Sequence, residues 1–224
     1  MIWNDQVLFL HVPKTGGISV TTYLLENLQH APSYTAEHRI KNVERAEFHE
    51  GRRHETLIDA EAFFGSRGRS VNSFGAIFAT MRNPYDLEVS RFHYLHKGHA
   101  IDKGLAQDLA MAGDFKKYLR FAPFFGSMPP RLDRYFRIGD VVPRNLRVLR
   151  FEHLDEDLEN RMTAYLRSDR KPLAHLNRSH HEDFWSYYDD EAEELCYRRH
   201  PWFFDMSFYG RGRPIISDDT YPDQ

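Results

Sequence analysis

The chain has 224 residues, of which 41% are hydrophobic and 14% aromatic, enough apolar material to bury a substantial core in a single domain over 1–224. A formal net charge of −3 excludes the lysine and arginine excess of a general nucleic-acid binder, and no stretch approaches the ~20 consecutive apolar residues that span a bilayer. The N-terminus lacks the charged and long apolar regions of a signal peptide; Cys196 is the only cysteine, so no disulfide closes within the chain and a cytoplasmic location is expected.

The apolar run Val7-Leu8-Phe9-Leu10 predicts a strand, and it leads into His11-Val12-Pro13-Lys14-Thr15-Gly16-Gly17-Ile18-Ser19. Ile18, Val20, Leu24, Leu25 and Leu28 then recur with the spacing of an apolar helix face. A strand, a glycine turn and a helix make a phosphate cradle. The turn's N–H groups and the unpaired donors of the first helical turn point one way, and the helix dipole favours negative charge there. A Walker A loop carries its lysine after the last glycine, whereas here Lys14 precedes both glycines. That order resembles the 5′-phosphosulfate loop of the sulfotransferases that use 3′-phosphoadenosine 5′-phosphosulfate (PAPS). The resemblance implies that Lys14, Thr15, Gly16, Gly17, Ile18 and Ser19 cradle the phosphate beside the transferred sulfuryl group, with Lys14 also assisting the leaving phosphate oxygen. Without it, the segment is a Gly-Gly turn between a strand and an ordinary α/β helix, and Lys14 a solvated turn lysine.

Residues 31–51 are polar and give no clear period. Arg52-Arg53-His54-Glu55-Thr56 follows, ahead of a helix expected over 56–64. His54 is the candidate general base, because an imidazole with a pKa near ~6.5 is partly neutral at cellular pH and accepts a hydroxyl proton. The segment resembles the His-x-Thr element that supplies the base in relatives of the uronosyl 2-O-sulfotransferase type. The plainer reading is a helix-capping or surface histidine, and His11, which adjoins the loop, is the next contender. Arg52, Arg53, Arg67 and Arg69 line an acceptor groove for an anionic glycan or, as the favoured account, are simply solvated.

Residues 66–70 read as an exposed loop and 75–81 as a buried strand. The strand runs into Arg82-Asn83-Pro84-Tyr85-Asp86-Leu87-Glu88-Val89-Ser90. This resembles the 3′-phosphate motif of the same family, in which an arginine at a strand end is followed by proline and then by a serine. Pro84 suits the first turn of a helix and Ser90 then lies about two turns along it, so that its hydroxyl and the Arg82 fork converge on one phosphate. Relatives commonly carry a second arginine where this chain has Leu87. Taken singly, Arg82 and Ser90 are a surface arginine and a helix serine. His93, His96 and His99 recur every three residues, yet Gly98 interrupts the helix and no carboxylate or cysteine completes a ligand set, so no metal is expected.

From about 100 to 135 amphipathic helix is broken by Pro123, Pro129 and Pro130, and this stretch is expected to form a helical lid over the acceptor site. Leu146-Arg147-Val148-Leu149-Arg150-Phe151 alternates as a strand, and Glu152-His153-Leu154 leads into a helix expected over 155–166. The pair resembles the family's late strand and its Phe-Glu-x-Leu turn. Leu176-Asn177-Arg178-Ser179 resembles a family loop near the nucleotide, which makes Arg178 a phosphate or substrate contact. Residues 183–197 read as a last, acidic helix with Trp185, Tyr188 and Leu195 available for packing, and the tail from Gly210 as loose.

Strands alternating with helices predict an α/β fold: a three-layer, mainly parallel sheet flanked by helices, of the P-loop nucleotide-binding type, with ligand at the carboxyl ends of the strands. The function this implies is transfer of a sulfuryl group from PAPS, leaving 3′-phosphoadenosine 5′-phosphate (PAP), to a hydroxyl-bearing small molecule or glycan, without a metal. A small P-loop kinase is the alternative enzyme, and a PAP-binding module that has lost catalysis is the alternative from another class.

Overall fold

The computed structural model describes residues 1–35, 45–98, 104–124, 127–128, 130–174 and 183–212. Strands β1 (Ile2–Trp3), β2 (Val7–Leu10), β3 (Ser33–Thr35), β4 (Glu47–His49), β5 (Ala76–Met81) and β6 (Leu146–Arg150) alternate with helices α1 (Gly17–Asn27), α2 (Leu57–Gly65), α3 (Pro84–His96), α4 (Leu105–Met111), α5 (Phe115–Phe121), α6 (Leu154–Met162), α7 (Asp190–Arg199) and α8 (Pro201–Asp205). The chain divides into two compact units, Met1–Arg82 with Arg134–Arg178, and Asn83–Asp133 with Ser179–Gln224.

The first unit holds the sheet, in the order β4-β3-β1-β2-β5-β6. β2, β5 and β6 run parallel, as do β3 and β4, while β1 is antiparallel to both β2 and β3. The fold is therefore α/β with a mostly parallel, mixed sheet. The antiparallel strand has a simple cause: residues 4–6 are too few for the crossover that a parallel return requires, and Asn4 caps the turn by accepting from the N–H groups of Gln6 and Val7.

Alternation along the strands gives each face its own cover. Ile2, Val7, Phe9, Ala76, Phe78 and Leu149 share one face and pack with Val20, Leu24 and Leu25 of α1 and Leu154, Leu158 and Met162 of α6. On the opposite face Trp3 meets the rings of Phe63 and Phe64 of α2, with centroids 5.3 and 5.5 Å away. Leu24 is fully buried, so Leu24→Ala is expected to cost about 2–5 kcal/mol through lost transfer energy and the cavity left behind. Ile18 departs from the expected helix face. It is 41% exposed, because at the first turn of α1 its side chain leaves the sheet.

The second unit is helical. Val89, Phe92 and Leu95 of α3 pack with Leu109 and Ala110 of α4, Phe115, Tyr118 and Leu119 of α5, and Ala192 of α7. A smaller cluster joins Tyr85, Cys196 and Phe204, with Trp185 and Tyr188 against it. Pro84 begins α3, with the Asn83 side chain capping it by accepting from the Tyr85 N–H at 3.0 Å. α4 and α5, the helical pieces of the expected lid, belong to this unit. The expected helix over 183–197 starts later, at Asp190. Asp183 instead caps a 3-10 turn, Phe184–Tyr187, and Asp189 caps α7 by accepting from the Ala192 N–H. Two competing caps in one acidic run split what periodicity alone joined.

At the centre of this unit Glu88 is fully buried. It accepts from Arg199 Nε at 3.0 Å, His200 Nε2 at 2.7 Å and the Tyr118 hydroxyl at 2.7 Å. Arg91 Nη1 donates in turn to Tyr118 at 2.8 Å, and Arg199 Nη1 donates to the carbonyls of Leu119 and Ala122, closing the end of α5. Burial raises the Glu88 pKa, but Arg199, His200 and Arg91 outweigh it and hold the carboxyl well below the usual range.

Candidate functional site

Three neighbouring parallel strands end side by side in the first unit, and each delivers one part of the site. β2 ends at Leu10 and passes into the loop 11–16; β5 ends at Met81, next to Arg82; β6 ends at Arg150, next to Phe151. Arg82 Nη1 donates to the Lys14 carbonyl at 3.0 Å, and its guanidinium lies 4.2 Å from the centre of the Phe151 ring. This is the carboxyl edge of the parallel strands, where ligands of open α/β sheets bind.

The loop is shaped by its main chain. Lys14 has φ 65° and Gly16 φ 77°, both left-handed. Glycine adopts that conformation freely, whereas lysine there costs on the order of 1 kcal/mol. Gly16 is the N-cap of α1, with no side-chain cap and no acidic residue in the first turn. The helix therefore presents its first N–H groups and the positive end of its dipole without a carboxylate of its own first turn. The two glycines also serve internal packing. A Cβ at Gly16 would lie 3.1 Å from the Phe151 ring, and one at Gly17 would run into the ring of His11.

Thr15 is buried, and its hydroxyl donates to the Val12 carbonyl at 2.9 Å and meets the Thr80 hydroxyl on β5. Its side chain is a strut of the loop. Ser19 is buried on the first turn of α1, Ile18 is exposed, and Lys14 is half-buried. Ser90 lies on α3 in the second unit, buried. Arg178, with Leu176, Asn177, Ser179, His180 and His181, lies outside the described residues, as does His99.

His54 comes to the same edge through α2. Thr56 and Asp59 form a reciprocal capping box, which ends the preceding chain as a tight turn and leaves His54 just ahead of the helix. Glu55, buried, accepts from the Arg52 N–H and the Thr35 hydroxyl, fixing the turn to β3. His54 Nδ1 donates to the His11 carbonyl at 2.9 Å. A carbonyl only accepts, so Nδ1 carries the proton and Nε2 the lone pair. The Tyr135 hydroxyl, whose pKa is raised by burial, donates to the His54 carbonyl at 3.0 Å. The His54 pKa is pushed down to about 4, chiefly by burial, with Arg53 adding to the fall and the bond to His11 opposing it. The imidazole is thus neutral at cellular pH.

The other sequence candidates have structural partners. Arg52 pairs with Asp59 at 2.7 Å, Arg67 stacks on Phe63 and Arg69 on Phe74. His93 Nε2 meets the Tyr187 hydroxyl at 2.8 Å and His96 Nδ1 donates to the Ala110 carbonyl at 3.0 Å. Thr80 and Tyr135 belong to the site and were not singled out from the sequence, and Phe151, noted there only as the start of the Phe-Glu-x-Leu turn, joins them. Thr80 had a signal, as the one hydroxyl in a buried apolar strand. No helix among the described residues is long and apolar enough to cross a membrane. No protein-family model, curated protein or solved structure matches the chain.

Proposed function

We propose that this chain is a PAPS-dependent sulfotransferase acting in the cytoplasm on a hydroxyl of a small molecule or glycan. The observation that carries the reading is the meeting of a left-handed Lys14, an α1 N-terminus without a side-chain cap, Arg82 and a neutral His54 within one unit, at one edge of parallel strands. Lys14 and the N–H groups of Gly16 and Gly17 suit a phosphosulfate, and Arg82 suits a second, 3′-phosphate. PAPS supplies the sulfuryl group. His54 accepts the acceptor's hydroxyl proton at Nε2 as the acceptor oxygen bonds to sulfur, and Lys14 places positive charge where the sulfur–oxygen bond to phosphate breaks. Ser90 and Arg178 enter this reading as the sequence resemblance implies.

The state of Thr15 weighs against a P-loop kinase. Such an enzyme uses the hydroxyl directly after the loop lysine to bind magnesium, and here that hydroxyl is buried between Val12 and Thr80.

Calorimetric titration with PAP, PAPS, ATP and ADP side by side tests the cofactor class. PAP is expected to bind more tightly than ADP, and the reverse order overturns the reading. With an acceptor in hand, His54→Ala is expected to lower turnover about 10²–10⁴-fold with PAP affinity nearly unchanged; near-normal turnover removes His54 from the base role.

A further inference from the structure

His11 ends β2, opens the loop and touches His54 in two ways. Its carbonyl receives the His54 Nδ1 proton, and its ring stands edge-to-face on the His54 ring, with centroids 4.7 Å apart and planes at 87°. The ring is itself confined. It is 4% exposed, its Nδ1 lies 3.4 Å from the Thr21 hydroxyl on α1, and it fills the space that a side chain at Gly17 would need. A wedge so held between α1 and His54 fixes the plane of the second ring, while the carbonyl fixes its tautomer. Of the two histidines, only His54 is part-exposed, so the nearly enclosed His11 is the poorer base and the better support.

We infer that His11 is the positioning residue of the base: its carbonyl and its α1-wedged ring hold His54 in a single tautomer and ring orientation, with Nε2 directed for proton transfer. The inference rests on the sulfotransferase reading for the reaction and on the His11–His54 geometry for the positioning. It joins base and phosphate loop through one residue, so a shift of the loop shifts the base. A catalytic group displaced by about 1 Å can lose on the order of 10²-fold in rate, which sets the scale of what the wedge does.

The test has two arms. The first uses full-length protein with ¹⁵N-labelled histidine, the His54 ring signals being assigned by their loss in His54→Gln. The native protein is expected to show one sharp Nδ1-protonated set of signals for His54, and His11→Ala, which keeps the carbonyl but loses the wedge, shifted and broadened signals from a ring no longer held in one plane, with the melting transition still cooperative. The second arm measures turnover and PAP affinity. His11→Ala is expected to lower kcat about 10–100-fold while PAP affinity changes less than about 2-fold, and His11→Asn, which keeps a planar polar group beside Thr21 but is no base, to recover part of the lost rate. Native-like ¹⁵N shifts of His54 in His11→Ala, or a His11→Asn variant as slow as His11→Ala, overturn the positioning role. Should His11→Ala not fold, Thr21→Val reads the same signals, and unchanged His54 shifts together with an unchanged rate there count against the wedge. Failure of PAP to bind the native protein overturns the sulfotransferase reading, while the ¹⁵N arm judges the positioning independently of it.

Discussion

The loop over residues 11–16 and the cluster around Glu88 are both small, buried and polar, and they are built in opposite ways. In the cluster, side chains close on one carboxylate: Arg199, His200 and Tyr118 all donate to Glu88. In the loop the main chain does the work, through two left-handed residues, the Val12, Lys14 and His11 carbonyls and a helix N-terminus. Closure by side chains uses up their chemistry in holding the fold. Construction from the main chain fixes position through groups that every residue carries, so the side chains at 14 and 54 are not what closes the loop.

The sharpest way to break that contrast is at Glu88. Removing one partner of a buried ionic network leaves uncompensated charge, so Glu88→Ala is expected to lower the unfolding free energy by about 3–5 kcal/mol in urea denaturation. A loss under about 1 kcal/mol would mean that the cluster is no more structural than the loop. Arg82→Ala comes next, with PAP binding weakened by roughly 1.5–3 kcal/mol. Because Arg82 also holds the Lys14 carbonyl, adenosine 5′-phosphosulfate, which has no 3′-phosphate, is expected to lose affinity too, but less. Equal losses in parallel calorimetry would reduce Arg82 to a prop for the loop.

A smaller effect of the reverse sign is expected at Lys14. Lys14→Gly relieves the left-handed strain and is expected to stabilise the fold by on the order of 1 kcal/mol while turnover collapses. A destabilised variant would show that Lys14 is held for packing. The least change of all is expected from pH. With its pKa at about 4, His54 stays neutral across the physiological range, so kcat/KM is expected to be level between pH 8 and pH 6 and to fall only as pH approaches ~4. The sign for stability follows from the same shift: the unfolded chain takes the proton first, at its ordinary value near ~6.5, so folding weakens as pH falls from ~6.5 towards ~4. An acid limb centred near pH 6.5 would mean that the His54 ring is solvated.

The two regions also differ in how legible they are. Lys14, Gly16 and Gly17 stand in one contiguous stretch after an apolar run, and Arg82 follows a second such run, so local order was enough to place them at strand ends; that the two strands are neighbours came from the sheet. Val20, Leu24 and Leu25 likewise declared the buried face of α1, and Pro84 the start of α3. His54 was found, but its tautomer and lowered pKa were not, because the first depends on a carbonyl that is distant in sequence and the second on burial that only the fold creates. Tyr135 carries no local mark at all, and Phe151 is marked only as the start of a turn; both matter through what the fold sets beside them. Glu88, Arg199 and His200 drew no reading from the sequence, because their pairing exists only once tertiary packing brings them together. Caps were underread as well, and Asp189 divided the expected last helix for that reason.

The ring of His11 occupying the place of a Gly17 side chain has a consequence for how this sequence can vary. The backbone at Gly17 is helical rather than left-handed, so nothing in its torsions demands glycine; the demand comes from another residue. Positions 11 and 17 therefore behave as a single mutational unit. In a library varied at both, larger residues at 17 should survive only beside a small residue at 11, and each position scored by itself would appear intolerant when what is fixed is their sum.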